Sequence, residues 1–250
     1  MLFKSGARPR PASYNLRVIN KQLLLAIGLN LAVCSAQSQT DRIHNDWAYL
    51  AKYREANAAL APPAPAATRV VFMGDSITEN WARMDEKFFE TNSYIGRGIS
   101  GQTTPQMLVR FRADVIDLQP RVVLILAGTN DIAGNTGPST LEMIEANLMS
   151  MSELARANNI RIILASVLPV YDYAWKPGLQ PAPKISALNN WIKEYAGSTG
   201  ATYLDFYTPM ADERGGMKAE LSGDGVHPNS AGYAIMDPLA VKAIAEALRK

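Results

Sequence analysis

The 250-residue sequence predicts an α/β fold, a three-layer α/β/α sandwich built around a parallel sheet. Two observations predict it. Short, continuously apolar runs rich in β-branched residues indicate strands that are buried on both faces, as in parallel sheets. Segments with helical periodicity separate these runs, so strands and helices alternate along the chain. The length fits one such domain with additional terminal segments.

The strand predictions come from individual apolar runs. Val70–Met73 is a short apolar run followed directly by Gly74, Val122–Leu126 is a continuous apolar run, and Ile160–Leu164 is a third clear strand candidate that includes one arginine. Two shorter and less apolar strand candidates are 92–95 and 202–204. Helices are predicted near 104–117, 140–158, 184–197 and 230–249, with Ser230 as a possible cap of the last helix.

The N-terminus has the pattern of a secretory signal peptide, which we assign to residues 1–36. Its head contains five basic residues and no acidic one: Lys4, Arg8, Arg10, Arg17 and Lys21. A short apolar stretch follows at 23–33, then small residues. The stretch is too short to span a bilayer. We therefore expect a periplasmic or secreted protein with no stable membrane insertion of the mature chain; a buried N-terminal helix is the alternative.

Cys34 is the only cysteine and lies in a segment that also resembles a bacterial lipobox. Val33 is a poor residue for that motif, so we do not expect lipid anchoring at Cys34. If Cys34 leaves with the signal peptide, the mature protein has no cysteine nucleophile, thiolate zinc site or disulfide.

The net charge of the mature chain argues against nucleic-acid binding. The whole chain has 25 basic and 23 acidic residues. Without residues 1–36, 20 basic and 23 acidic residues remain, a net charge of −3. A near-neutral body has no basic surface to attract phosphates.

The residues after the signal peptide, 37–67, predict a helix from Asp46 to Leu60 and a stiff Ala/Pro linker over 61–67. The domain that contains the sheet is predicted over 68–250.

Polar, glycine-containing turns follow the predicted strands. Gly74–Thr78, Gly96–Gly101 and Gly128–Asp131 each come after a strand, and Asp224–Asn229 precedes the last helix. Active sites of open parallel sheets form where the strands end, at their carboxyl edge. We therefore expect these four turns to meet in one site.

Histidine is scarce in this chain, which narrows the choice of a general base. Of the two histidines, His44 lies outside the predicted sheet domain, whereas His227 follows Asp224 by three residues. A carboxylate at this spacing can orient the imidazole and favour its charged form. Pro228 favours an extended backbone at His227. The alternative is that Asp224 and His227 only build a turn before the last helix.

Ser76 is the candidate nucleophile because it follows a strand and a glycine where a helix begins. The adjacent Asp75 is predicted to cap that helix and to have no chemical role. Acyl transfer also needs donors for an oxyanion, and the Ser76 amide, the Gly101 amide and the Asn130 side chain can supply them. Taken singly, Gly101 and Asn130 are equally explained as ordinary turn residues.

These blocks occur once each and in order, and the chain resembles the SGNH hydrolase superfamily, whose members are GDSL-like lipases and acylhydrolases. The matching blocks are Gly74-Asp75-Ser76, the Gly101 turn, Gly128–Asp131 and Asp224-x-x-His227, within about residues 69–249. The resemblance implies a flavodoxin-like sheet of five parallel strands. It also implies that the Asp224–His227 pair serves Ser76, and that Ser76, Gly101 and Asn130 form the oxyanion hole.

Two other motif readings fit less well. Gly96–Gly101 formally matches G-x-G-x-x-G, but it follows the second strand and Arg121 stands where a dinucleotide site needs an acid. The G-x-S-x-G elbow of ordinary α/β-hydrolases is absent.

We therefore expect a serine esterase that hydrolyses short acyl esters, acetyl esters above all, on small molecules or carbohydrates. A lysophospholipase or thioesterase is the main alternative, and a secreted glycan-binding module without activity is another. No metal or organic cofactor is implied. Four aromatic residues near the turns can line the substrate site or pack the domain: Trp81, Tyr171, Tyr173 and Trp175.

Overall fold

The computed structural model describes residues 46–64 and 68–250. The predicted signal peptide, Cys34, His44 and the end of the Ala/Pro linker lie outside the described residues. The chain from Ala48 to Lys250 packs as one unit. In the part of the chain that is described, no helix is both long and apolar enough to cross a membrane.

A parallel sheet of five strands runs through this unit, in the spatial order β2-β1-β3-β4-β5. The strands are β1 (Val70–Gly74), β2 (Tyr94–Gly98), β3 (Val122–Leu126), β4 (Arg161–Ala165) and β5 (Thr202–Leu204). All neighbouring pairs are parallel. The predicted α/β fold with a flavodoxin-like, five-stranded parallel sheet is confirmed. The strand order reverses at β1, so the loops after β1 and β3 diverge and leave a crevice for a ligand.

Helices cover both faces of the sheet. Those within the described residues are α1 (Arg54–Ala58), α2 (Ser76–Met84), α3 (Glu86–Asn92), α4 (Thr104–Asp114), α5 (Thr129–Ile132), α6 (Leu141–Ala157), α7 (Ala182–Thr199), α8 (Tyr207–Met210) and α9 (Ser230–Arg249). Side chains alternate along each strand. Val71 and Met73 therefore join the apolar cluster that includes α4, α6 and α7, while Val70 and Phe72 join the cluster with α2, α3 and α9.

The second strand differs from its prediction. It was expected over 92–95 with a turn from Gly96 onward, but it runs from Tyr94 to Gly98. Gly98 pairs with Gly74 at the end of β1. A Cβ at Gly98 would lie only 2.2 Å from the Glu79 amide nitrogen, so this glycine marks close contact between β2 and α2 and not a turn.

The helix predicted from Asp46 to Leu60 is wrong over most of its length, because only Arg54–Ala58 is helical. Tyr49 has a φ of 56°, which no helix interior tolerates. Residues of this segment instead contact the turn after β2, as described below.

Side-chain caps fix the first residue of two helices, α2 and α9. Asp75 caps α2, and its carboxylate accepts a hydrogen bond from the Ile77 amide at 2.9 Å, which confirms the predicted cap. The last helix is capped by Asn229 and not by Ser230 as predicted. The Asn229 side chain accepts from the Ala231 and Gly232 amides at 2.9 and 3.1 Å, because it lies one residue before the first helical turn.

Candidate active site

Ser76 is the first residue of α2 and follows the carboxyl end of β1 by two residues. The Asp75 cap fixes the backbone at this point, and the Ser76 side chain remains partly accessible. The amides at a helix N-terminus point away from the helix and favour negative charge. A ligand oxygen beside Ser76 therefore meets a favourable electrostatic environment.

The structure brings Ser76 next to His227 across 151 positions of sequence. Ser76 Oγ lies 2.9 Å from His227 Nε2, and His227 Nδ1 lies 2.7 Å from Asp224 Oδ2. The His227 side chain is 29% exposed and that of Asp224 is 48% exposed. A hydroxyl, an imidazole and a carboxylate thus form one continuous chain of hydrogen bonds at an open edge of the protein.

The Asp224 carboxylate is held by more than the imidazole. Its Oδ1 atom accepts hydrogen bonds from the backbone amides of Val226 and His227 at 2.9 and 2.8 Å. Partial burial opposes ionisation, but these amides and the His227 ring lower the pKa of Asp224 to about 2. Ionised Asp224 accepts a hydrogen bond from His227 Nδ1–H. This leaves Nε2 unprotonated, as the acceptor that faces the Ser76 hydroxyl.

Ser222 also builds this turn, a role that the sequence pattern did not indicate. Its hydroxyl donates to the His227 carbonyl at 2.7 Å and accepts from the Gly225 amide at 2.9 Å. Gly225 has a φ of 77°, which suits glycine. A serine two residues before an aspartate is a common local turn signal, but nothing in the sequence links it to the histidine carbonyl.

Gly101 and Asn130 lie on the turns that follow β2 and β3. Gly101 is exposed, with a φ of 78°. Asn130 is buried in α5; its Nδ2 donates to the Gln102 carbonyl at 3.0 Å and its Oδ1 accepts from Asn135 Nδ2 at 2.8 Å. These two bonds fix which end of the amide is the nitrogen. The Asn130 NH₂ group uses one hydrogen for the Gln102 carbonyl, and its second hydrogen can donate to a ligand.

Two buried carboxyl groups hold the loops around the site. Asp131 accepts from the Thr104 hydroxyl at 2.6 Å and from the Thr104 amide at 3.0 Å, which joins the turn after β3 to the start of α4. Burial raises the pKa of Asp131 to about 6, although both Thr104 bonds oppose this. Burial likewise raises the pKa of Asp75 to about 7, against the hydrogen bond from Ile77. Neither carboxyl is open to a substrate, so we assign both to loop structure.

The four aromatic residues divide between the two roles considered. Trp81 and Tyr173 are fully buried, and the Tyr173 hydroxyl lies 2.9 Å from the Thr129 hydroxyl, so both pack the domain. Trp175 is 49% exposed, with its ring 6.5 Å from the His227 ring. Tyr171 is exposed and lies under the Arg214 guanidinium at 4.7 Å. Trp175 is therefore the aromatic residue at the edge of the Ser76–His227 pair.

Gln102 and Arg110 also support the site, and no sequence motif pointed to either residue. Both are buried, and Arg110 Nε donates to Gln102 Oε1 at 2.6 Å. Gln102 follows Gly101 directly and its carbonyl is the partner of Asn130. A buried charge within a turn–helix segment leaves no local pattern in the sequence, because its partners lie on other elements.

A family comparison covers all of these positions. The model of the GDSL-like Lipase/Acylhydrolase family matches residues 72–235.

Relatives of known structure or with curated descriptions agree with this match. A GDSL-like lipase from Bacteroides thetaiotaomicron has a crystal structure that superposes with a TM-score of 0.79; it is 47% identical, and the match covers 81% of this chain and 100% of that one. Esterase TesA of Pseudomonas aeruginosa is 26% identical over 179 residues, which are 65% of this chain and 81% of that protein.

A shorter match links the chain to an uncharacterized lipoprotein, YqeF of Bacillus subtilis. It is 33% identical over 81 residues, which are 31% of this chain. The match covers only 33% of the length of that relative.

Proposed function

This chain belongs to the GDSL-like lipase/acylhydrolase family and is a carboxylic ester hydrolase, and we propose that it is a serine esterase with Ser76 as its nucleophile. The observation that carries the proposal is the chain of hydrogen bonds from Ser76 through His227 to Asp224, at 2.9 and 2.7 Å. Nucleophilic catalysis by serine requires a base within this distance and a third group that orients the base.

In the first half of the proposed reaction, Ser76 Oγ attacks the ester carbonyl carbon and His227 Nε2 takes the hydroxyl proton. The lowered pKa of Asp224, about 2, favours its ionised form, which stabilises the imidazolium that forms. The tetrahedral intermediate then collapses: the bond to the alcohol oxygen breaks and His227 returns the proton to the leaving alcohol. The product of this half is an acyl-enzyme on Ser76.

In the second half, water attacks the acyl-enzyme while His227 again accepts a proton. The bond from the acyl carbon to Ser76 Oγ then breaks, His227 returns the proton to Ser76 Oγ, and the acid product leaves. Both tetrahedral intermediates have a negatively charged oxygen. We assign its donors to the Ser76 amide, the Gly101 amide and the second N–H of the Asn130 side chain. These groups are positioned before the reaction begins, so they need little reorganisation when the charge develops.

We further propose that the acyl group is short, acetyl above all, and that the alcohol part is a small molecule or a carbohydrate. The turns that carry the site are polar, and the exposed face of Trp175 beside His227 offers a flat apolar surface on which a sugar or aryl ring can stack. A lysophospholipase or thioesterase would need a groove for a long acyl chain instead.

A matched series of nitrophenyl esters from acetate to decanoate tests the acyl preference. Each methylene that enters an apolar groove adds about 0.8 kcal/mol of binding, so a long-chain enzyme shows kcat/KM rising with chain length. We expect kcat/KM to be highest at acetate or butyrate and to fall beyond. A maximum at eight carbons or more would support the lysophospholipase or thioesterase alternative.

Covalent labelling tests the nucleophile separately from the substrate. A fluorophosphonate reacts with activated serines, and peptide mass spectrometry locates the adduct. We expect the label on Ser76, with labelling lost in His227→Ala. A label on another serine would refute the assignment.

We also propose that the protein is exported and that the signal segment is removed near residue 36. The basic and apolar pattern of residues 1–36 supports this, and so does the similarity to a lipoprotein. The intact mass of the protein from the native host decides it. Loss of about 36 residues is expected; a lipid-modified Cys34 would indicate anchoring, and retention of Met1 would overturn export.

A further inference from the structure

Gln102 makes three hydrogen bonds that join different parts of the site. Its side chain is buried; Nε2 donates to the Ala48 carbonyl at 2.9 Å and Oε1 accepts from Arg110 Nε at 2.6 Å. Its backbone carbonyl accepts from Asn130 Nδ2 at 3.0 Å. Gln102 thus lies between Gly101, which it follows in sequence, and Asn130, which it contacts through its carbonyl.

Arg110 extends this network to the strand that precedes the nucleophile. Its guanidinium is fully buried, donates to the Gly74 carbonyl at 3.0 Å and pairs with Asp114 at 2.9 Å. The Gly74 carbonyl is two residues before Ser76. A single buried cation therefore holds both the end of β1 and the Gln102 side chain.

The segment from Ala48 to Ala58 contacts the same turn at further points. The Tyr53 hydroxyl donates to the Gly98 carbonyl. Lys52 Nζ pairs with Glu79 at 2.9 Å, and the other Glu79 oxygen accepts from the Ser100 amide at 2.8 Å and the Ser100 hydroxyl at 2.5 Å. This segment precedes residues 72–235, which the family model matches.

Gly101 has no side chain to anchor the loop, and the position that a side chain would take is open space. A Cβ at Gly101 would meet no atom within 4 Å, and its φ is 78°. The residues on either side of it, Ser100 and Gln102, are held by hydrogen bonds of their own. Each of them is hydrogen bonded toward the Ala48–Ala58 segment, Gln102 directly and Ser100 through Glu79.

We propose that the segment Ala48–Ala58 is a positioning element for the oxyanion hole and that Gln102 is the positioning residue through which it acts on Asn130. The inference rests on the proposed function, because it takes Gly101 and Asn130 as the oxyanion donors. Oxyanion donors stabilise the transition state only when they are correctly positioned before the reaction begins, and a small displacement lowers the rate strongly. The segment then affects the transition state without touching the substrate.

The first test is Gln102→Met, which keeps the shape of the side chain and removes both of its hydrogen bonds. Active sites are counted with a fluorophosphonate, so that misfolded protein does not enter the rate. We expect kcat per active site to fall about tenfold, with KM changed less than about twofold. Affinity for a trifluoromethyl ketone, which forms an oxyanion on the nucleophilic serine, should fall with kcat. A purely structural role would lower the melting temperature and leave kcat per site unchanged.

The second test is Lys52→Met, because a buried variant such as Gln102→Met can fail to fold. Lys52 is 43% exposed, and its loss should disturb Ser100 only through Glu79. We expect a fall of about threefold in kcat, recovered by Lys52→Arg. The matched control is Lys250→Met, which removes an exposed ion pair to Glu246 and a bond to the Ala201 carbonyl, and which should keep wild-type kcat.

Asn130→Ala distinguishes failure of the positioning role from failure of the proposed oxyanion donors. If it lowers kcat while Gln102→Met and Lys52→Met keep wild-type kcat per site, the positioning role is wrong and the proposed function stands. If Asn130→Ala itself keeps wild-type kcat, the oxyanion assignment fails and the positioning role fails with it. Parallel losses of kcat and of ketone affinity in Gln102→Met or Lys52→Met support the inference.

Discussion

Ser76 Oγ lies 2.9 Å from His227 Nε2, although Ser76 begins α2, His227 lies in the turn before α9, and 151 positions separate them in the sequence. The sheet order makes this contact possible, because the loop after β1 opens into the crevice where the strand order reverses.

Ser76→Ala should abolish ester hydrolysis and leave the fold in place, because no other group takes over covalent attack. Removal of a member of such a triad costs several orders of magnitude in kcat. The measurement is kcat on nitrophenyl acetate together with the circular dichroism spectrum. Ser198→Ala, which removes an exposed hydroxyl that donates to the Tyr195 carbonyl, is the control and should keep full activity. A Ser76→Ala enzyme with a tenth of wild-type kcat would refute the nucleophile assignment.

His227→Ala should be about as damaging as Ser76→Ala, since His227 transfers the proton in both halves of the reaction. Asp224→Ala should be somewhat less damaging, because Asp224 orients the ring and does not transfer the proton. The three kcat values, measured under one condition, give the order. His44→Ala is the matched control; a larger loss in that variant than in His227→Ala would mean that the wrong histidine has been assigned as the base.

Asn130→Ala should lower kcat by about 10²–10³ and change KM little, because the proposed donor binds charge that exists only in the transition state. Steady-state kinetics on a short acyl ester give both constants. Asn158→Ala removes an exposed amide bonded to the Leu154 carbonyl and should behave as wild type. Wild-type kcat with a large rise in KM for Asn130→Ala would place this residue in substrate binding instead.

Asp75→Asn should stabilise the protein at alkaline pH and have little effect at acidic pH. Burial raises the pKa of Asp75 from 3.8 to about 7, so the folded state holds a proton that the unfolded chain releases. The stability that the neutral carboxyl contributes is complete below pH 3.8 and is lost as the pH rises through about 7. The variant stays neutral and still offers an oxygen to the Ile77 amide.

Thermal unfolding of wild type and Asp75→Asn between pH 4 and pH 8 measures this effect. A change of 1 kcal/mol shifts the melting temperature of a domain of this size by about 2–4 °C. We expect the difference between variant and wild type to grow by at least that amount toward pH 8. A constant or shrinking difference would contradict the burial of an ionisable Asp75.

Trp175→Ala should reduce kcat/KM for aryl or sugar acetates more than for ethyl acetate, because only the ring-bearing alcohols can stack on the indole. The half-exposed ring beside His227 is the basis for this expectation. Tyr171→Ala removes an exposed aromatic residue that packs with Arg214 and serves as the control. Equal losses on all three esters would assign Trp175 to support of His227.

Several elements could be predicted from the sequence because their signals are local. The runs that form β1, β3 and β4 are apolar over almost their whole length and include β-branched residues, a composition that suits burial on both faces of a sheet. Asp75 could be recognised as a cap from its place between a strand and a helix. The candidate site residues could be selected because scarce residue types follow strand ends.

Other features were decided only by the tertiary structure. Gly96 and Gly98 carry a turn signal, yet they lie in β2 because the backbone of α2 approaches too closely for any side chain at Gly98. Residues 46–60 have the composition of a helix, but most of them are not helical, and their hydrogen bonds go to the turn after β2.

The sequence by itself determined the alternation of strands and helices and the order of the polar turns, because periodicity and turn chemistry act over a few residues. Only the tertiary structure decided that Ser76 meets His227 and that Gln102 joins Ala48, Arg110 and Asn130. These contacts link residues far apart in the chain. Their geometry depends on the strand order and on close packing between elements, which no local pattern of residues encodes.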